Sequence, residues 1–357
     1  MAMGLLPLLV LLVAVAEGAQ NHHHHQKQQL VPAVMIFGDS VVDVGNNNDN
    51  PFSLVKANFL PYGRDFAGHS PTGRFCNGKL ATDYTVENLG FNSYPLAYLD
   101  PKATGKSLLI GANFASGASG FLDQTATLYN AVSLTRQLEF YKEYQSKVAN
   151  ITRKKRAAQI FRDSIYLVSA GNSDYIQNYY INPMFAGAYT PPQFADLLIQ
   201  GFSSFIQKLH GLGGRRIGVT TLPPLGCLPA AITMFGATES TDCVARLNTD
   251  AVAFNSKMVS TARSLEKKLP GLKLVVLDIY NPLHTIITNP SPNGFFETRR
   301  SCCGTGTIET SLLCNAGSPG TCTNATGYVF WDSFHPTEAA NRVLAKNLLM
   351  QGIELLG

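Results

Sequence analysis

Ser40 follows an apolar run, "VMIF" at 34–37, through Gly38 and Asp39, and precedes Asp43, Gly45 and three asparagines, Asn46 to Asn48. Gly, Asp, Ser and Asn supply turn conformations and local hydrogen bonds, so a strand-to-loop turn accounts for the pattern. The same residues also suit a nucleophilic hydroxyl held at the end of a strand. A serine attacks only where a base takes its proton and a third group orients that base. Histidine is scarce enough to limit the partners: apart from the run at 22–25, the chain has His69, His210, His284 and His335. His335 stands apart in "FWDSFHPTEAAN", which sets Asp332 three residues before it and Pro336-Thr337 directly after. On a turn, that spacing lets a carboxylate accept from one imidazole nitrogen while the other faces outward. Alone, Asp-x-x-His reads as a turn residue before a helix-start histidine. Paired with Ser40 at the other end of the chain, it reads as a base and its orienting carboxylate.

Positioning these groups calls for a scaffold. Apolar runs at 33–37, 108–114, 164–169, 216–221 and 272–279 predict five buried strands. Helical periodicity occupies 80–89, 133–144, 192–210 and 244–268, and a final helix is expected over 337–350. Strands alternating with helices predict an α/β fold, a three-layer α/β/α sandwich around a central, mostly parallel sheet. Sites in such sheets form beyond the carboxyl ends of the strands. Three polar stretches fall there: Gly38-Asp39-Ser40, "ASGASG" at 115–120 and "SAGNSDY" at 169–175.

A chain of 357 residues, 45% hydrophobic and 15% charged, has the composition of a globular protein with a sizeable core. Its net charge of +4 forms no basic stripe with interleaved aromatics, which excludes nucleic acid as a partner. The run "TRKKR" at 152–156 reads as a solvated helix start or loop. Residues 1–19 carry an apolar run, Leu5 to Ala16, too short to span a bilayer and followed by small residues; they read as a secretory signal. Residues 20–30, with four histidines beside "QKQQ", read as a disordered polar segment rather than a metal site, and 31–357 as one domain. No later apolar run is long enough for a transmembrane segment. Secretion turns the seven cysteines into disulfide candidates rather than zinc ligands, and the odd count leaves Cys76, far from the rest, as the candidate free thiol. Sequons at Asn150 and Asn324 suit the same route, with the extracellular space, apoplast or cell wall as destination.

Taken in order, "FGDSVVDVGNNN", "PTGRFCNGK", "GANFASGASG", "SAGNSDY", "PPLGC", "CCGTG" and "VFWDSFHPTEAAN" resemble the blocks of the plant GDSL-type esterase/lipases of the SGNH hydrolase superfamily. The resemblance runs from about Val34 to Asn341. It implies hydrolysis of a carboxylic ester, with Ser40 as nucleophile, His335 as general base, Asp332 as the residue orienting it, and no metal or organic cofactor. It also implies oxyanion donors from the Ser40 and Gly117 backbone N–H groups and from the third block. There the family reads Gly-x-Asn-Asp, whereas this chain reads Gly171-Asn172-Ser173-Asp174. Either Ser173 donates in place of the asparagine or Asn172 reaches in from the neighbouring position; Ser173 is preferred, since a one-residue slip turns a side chain to another face. Lipid, polyester, acetylated polysaccharide and phenolic esters all fit as substrates. Acyl transfer to an alcohol through the same residues, and a non-catalytic cell-wall glycoprotein, are the alternative readings.

Overall fold

A computed structural model describes residues 28–237 and 242–357. Its five central strands are β1 (Val34–Gly38), β2 (Gly111–Asn113), β3 (Ile165–Ser169), β4 (Arg216–Thr220) and β5 (Lys273–Leu277). They form one sheet in the order β2-β1-β3-β4-β5, and every pairing is parallel. The principal helices are α1 (Ala81–Asn88), α2 (Leu134–Thr152), α3 (Lys154–Asp163), α4 (Pro191–Gly211), α5 (Ala245–Lys268) and α6 (Glu338–Gln351). All five residues of β1 are buried, because a parallel strand covered on both faces has no solvent side. Successive side chains alternate between the layers. Phe37 points toward α2 and α4, stacking on Phe114 at 4.9 Å between centroids and meeting Tyr141 and Phe205 edge-on. Val34 and Ile36 point the other way, into a smaller cluster with Val86 and Leu89 from the α1 side.

The expected strand at 108–114 shrinks to the three residues of β2. Residues Gly105–Ile110 instead form a tight helical turn, buried at Leu108, whose carbonyl accepts the Tyr144 hydroxyl at 2.8 Å rather than a strand partner. Helix α2 outruns its expected end at 144 and reaches Thr152, with the Ser133 hydroxyl accepting from the Arg136 N–H at its start. A second sheet, β6 (Glu297–Ser301) and β7 (Tyr328–Phe330), was not anticipated, because "ETRRS" has no apolar run to betray a strand. Disulfides Cys302–Cys322 and Cys303–Cys314 cross-link this region, and Cys227–Cys243 closes a loop before α5. Cys76 is the buried free thiol, as the sequence suggested. The expected signal at 1–19 and the histidine run at 22–25 lie outside the described residues. No described helix is long and apolar enough to cross a membrane.

Candidate active site

Backbone geometry at the end of β1 aims Ser40. Gly38 sits at φ 138°, and a Cβ there would lie 1.9 Å from the Ser169 carbonyl oxygen, so only glycine lets the chain turn this close to β3. The next N–H, of Asp39, donates to that same oxygen at 2.9 Å. Gln137, fully buried on α2, holds Gly38 from the other side: its Oε1 accepts the Gly38 N–H and its Nε2 donates to the Gly38 carbonyl, both at 2.9 Å. Nothing local to either residue marks this clamp, which spans 99 positions.

The asparagines that follow stitch one loop to the next. Asn46 Nδ2 donates to the carbonyls of Asn113 and Ala115, at 2.9 and 2.7 Å. Asn47 Nδ2 donates to Val55 and Gly117, and its Oδ1 accepts the Ser116 hydroxyl at 2.6 Å. Buried carbonyls left by a loop need donors, and carboxamides on the adjoining loop supply them. The 115–120 segment is thereby fixed against the serine turn.

The histidine arrives from β7. Beyond Phe330 the chain reverses within "WDSFH", the Trp331 N–H donating to the His335 carbonyl at 2.7 Å. Asp332 Oδ1 accepts the N–H groups of Phe334 and His335, each at 2.9 Å, as a buried aspartate in a turn does. Thr337 caps α6 by accepting the Ala340 N–H, so the loop is pinned on both sides. Phe75 packs against the imidazole with centroids 5.0 Å apart.

These two loops meet. His335 Nε2 lies 2.7 Å from Ser40 Oγ, and His335 Nδ1 lies 2.7 Å from Asp332 Oδ1. With Oδ1 accepting from Nδ1–H, the facing Nε2 is the acceptor for the serine proton. Asp332 is fully buried, and its other oxygen is satisfied by the Tyr62 hydroxyl at 2.6 Å and the Thr310 hydroxyl at 3.1 Å. Tyr62 in turn accepts the Ser311 N–H at 2.8 Å. Tyr62 and Thr310 belong to no motif that sequence reasoning singled out. Ser40 is half-buried and opens, with His335, on a cavity of about 460 Å³.

The expected oxyanion donors fare unequally. Gly117 is brought close, but its N–H donates to Asp43 Oδ2 at 2.8 Å, so this donor is committed to a buried carboxylate rather than left open to substrate. Asp43 collects it, with the N–H groups of Gly45 and Asn46, because a carboxylate without water needs several donors. Asn172 and Ser173 both line the cavity. The Asn172 amide is drawn to Asp39 Oδ2 at 3.3 Å, while Ser173 is nearly buried at the start of a π-helical segment, Asp174–Ile181. Burial pushes the Asp39 carboxyl up to about 7 against the pull of the Val41 N–H and of His335. Burial likewise raises Asp43 to about 6 and Asp174 to about 7. Asp174 accepts from Thr125 and from the Phe121 N–H, and a Cβ on Gly120 would stand 2.3 Å from its carboxylate, which is why glycine occupies that position.

Other polar residues resolve into supports. Arg74 is buried in a two-bond pair with Asp83, Arg64 donates to the Cys322 carbonyl over the Trp331 ring, and Lys79 pairs with Glu87. His69 and His210 bond to the carbonyls of Arg64 and Pro270, and His284 stacks on Tyr280. No cluster of three or more metal-ligating side chains occurs among the described residues. Asn150 is exposed on α2 and Asn324 is exposed in a loop, its Oδ1 accepting from Thr326.

A parallel α/β sheet carrying a Ser–His–Asp hydrogen-bonded chain at its carboxyl edge is the arrangement of a serine hydrolase. Comparison with known proteins narrows this class. The family model described as GDSL-like Lipase/Acylhydrolase matches residues 34–348, and the chain belongs to that family. The chain is 64% identical over 327 residues to GDSL esterase/lipase At5g03810 of Arabidopsis thaliana, covering 92% of each. GDSL esterase/lipase APG of the same plant is 58% identical over 330 residues, covering 92% of this chain and 93% of that protein. GDSL esterase/lipase EXL3 is 42% identical over 320 residues, covering 90% and 87%. The chain is a carboxylic ester hydrolase of this family.

Proposed function

We propose that the protein cleaves its ester through an acyl-enzyme, with Ser40 as nucleophile, His335 as general base and then general acid, and Asp332 as the residue that orients His335. The observation carrying this reading is the unbroken chain of two 2.7 Å contacts from Ser40 Oγ through His335 to Asp332 Oδ1. Ser40 Oγ attacks the ester carbonyl as its proton passes to His335 Nε2. The imidazolium formed is stabilised by Asp332, whose other donors hold it in plane. His335 returns the proton to the departing alcohol, and water, activated in the same way, releases the acid. The developing oxyanion is met by the Ser40 N–H and the Ser173 hydroxyl, since the Gly117 N–H is spent on Asp43; such donors contribute on the order of 3 kcal/mol each. A rotatable hydroxyl gives less than a fixed amide. We also infer that residues 31–357 act as one catalytic domain and that the protein is secreted, a reading supported by the apolar run at 5–16, the disulfides and the exposed sequons at Asn150 and Asn324.

The test is release of p-nitrophenol from its acetate ester by wild-type, Ser40→Ala and His335→Ala proteins of matched thermal stability. Loss of turnover in both variants is expected. A folded Ser40→Ala protein that keeps wild-type turnover would falsify the assignment.

A further inference from the structure

The cavity behind Ser40 is far larger than a two-carbon acyl group needs, and its walls are unlike its mouth. Ser40 and His335 stand at one end; Ile165, at the amino end of β3, stands at the other. Between them the lining takes Ile165, Leu167 and Ser169, alternate positions on one face of β3, with Val168 added near the catalytic end. Opposite lie Leu348 and Leu349 of α6 and Leu355 beyond it. No Asp, Glu, Lys or Arg contributes to the wall. Near the catalytic end the Thr220 hydroxyl donates to Ser169 Oγ at 3.0 Å, while Asn172 Oδ1 and Gln177 Oε1 are buried without partners.

Two features show that the hollow is built into the sheet. β3 is central, paired with β1 on one side and β4 on the other, and four of its five residues are buried. The exception is Leu167, half-buried in the middle of the strand, and the space its side chain meets is the cavity. Its partner across the β3–β4 register is Gly218, which places no side chain where one would fill the gap. A Cβ at 218 would meet only leucine tips: Leu277 Cδ1 at 2.9 Å, Leu355 Cδ1 at 3.2 Å and Leu167 Cδ2 at 3.4 Å. At the mouth, Leu54, Leu312 and Leu313 are exposed, so the apolar lining continues to the surface.

We propose that this cavity is an acyl channel, and that the ester the enzyme selects carries a long, unbranched hydrocarbon chain that threads between β3 and α6 while its carbonyl stands at Ser40. The proposal rests on the esterase reading above. From Ser169 to Ile165 the strand rises roughly 13 Å, room for an extended chain of about ten carbons. Away from Ser40 the stretch formed by Leu167, Leu348, Leu349 and Leu355 is uncharged and methyl-lined and disfavours hydroxylated acyl groups, whose polar atoms would lose water there without gaining partners. Each methylene drawn from water into the channel raises kcat/KM by on the order of threefold until the channel is full.

The experiment is a series of p-nitrophenyl esters from acetate to palmitate, run on wild type and on Gly218→Val and Leu348→Phe, which narrow the channel from opposite walls. Decanoic acid binding to the Ser40→Ala protein is measured by calorimetry alongside. In wild type kcat/KM should climb to about ten carbons and then level. The decanoate-to-acetate ratio should fall at least about tenfold in either narrowed variant that retains its circular dichroism, and Ser40→Ala should bind decanoic acid. Acetate turnover with a flat or falling profile beyond butyrate, or an unchanged ratio in a folded narrowed variant, overturns the channel and leaves the esterase standing. No Ser40-dependent turnover of any ester overturns the esterase reading instead; the calorimetry then decides the channel, which stands if decanoic acid binds and falls if it does not.

Discussion

Replacing Tyr62 with phenylalanine removes one oxygen on which two groups depend. The hydroxyl donates to Asp332 Oδ2 at 2.6 Å and accepts the Ser311 N–H at 2.8 Å, and both side chains are fully buried. A hydrogen bond to a buried charge is worth about 1.5–3 kcal/mol net, and an orphaned buried N–H costs a further 1–3 kcal/mol or so. Thr310 still reaches Oδ2 at 3.1 Å, so the carboxylate is weakened rather than stripped. The expected loss of unfolding free energy is therefore about 3 kcal/mol, read by urea denaturation with disulfides intact. Released on one edge, the Asp332 plane holds His335 less firmly. About 1.4 kcal/mol of that loss reaching the proton-transfer step makes kcat fall about tenfold. KM should change little, because Tyr62 lies behind the triad. The pairing with Thr310 gives an internal control: Tyr62→Phe combined with Thr310→Val should cost more than the sum of the single changes, since both serve the same oxygen. A Tyr62→Phe protein within about 0.5 kcal/mol of wild type and with kcat within about twofold would refute the idea that these donors hold the carboxylate.

Three further outcomes are expected. Gln137→Leu leaves the Gly38 N–H without its acceptor and should cost about 2–4 kcal/mol in denaturant unfolding, with turnover falling in the surviving folded fraction as the Ser40 turn loosens. Asp39, Asp43 and Asp174 have folded pKa values of about 6 to 7, raised by burial, against an ordinary 3.8. The folded protein therefore holds protons that the unfolded chain has released, and stability should fall as pH rises from about 4 to 7 and level above. Calorimetric melting across that range checks this, with a flatter profile for Asp39→Asn; a melting point that rises steadily to pH 7 contradicts it. Ser173→Asn should preserve or raise kcat by supplying a fixed amide, and Ser173→Ala should lower it severalfold; identical rates in all three proteins would remove residue 173 from oxyanion stabilisation.

What could be read in advance follows from how far each interaction reaches along the chain. The α/β alternation is a local pattern, and the five strands fell where apolar runs lay, apart from the overlong 108–114, where a tertiary bond from Tyr144 to Leu108 decided the backbone. Ser40, Asp332 and His335 were legible as residue types in short motifs, and the geometry joins them. Tyr62 and Gln137 were not, because their meaning exists only once residues 270 and 99 positions away are brought to them. The commitment of the Gly117 N–H to Asp43 was hidden for the same reason: both residues sit in recognisable motifs, yet which donor meets which acceptor is settled by the loops' final packing. Strand β6 escaped because "ETRRS" has no apolar run, and β7 because its three residues, with Val329 and Phe330 buried in the core, are too short a run to stand out.

The two halves of the proton relay are finished by different chemistry. Ser40 rides on the five-stranded sheet, where no disulfide ends, whereas Asp332 and His335 ride on a layer tied by Cys302–Cys322 and Cys303–Cys314, the second closing the loop that carries Thr310 and Ser311. Folding of the sheet completes the nucleophile's side; oxidation of four thiols completes the base's side. A newly made chain in a reducing compartment would thus hold a formed centre and an unarmed relay. Reduction of those four thiols should therefore loosen the base's side of the relay before it disturbs the sheet.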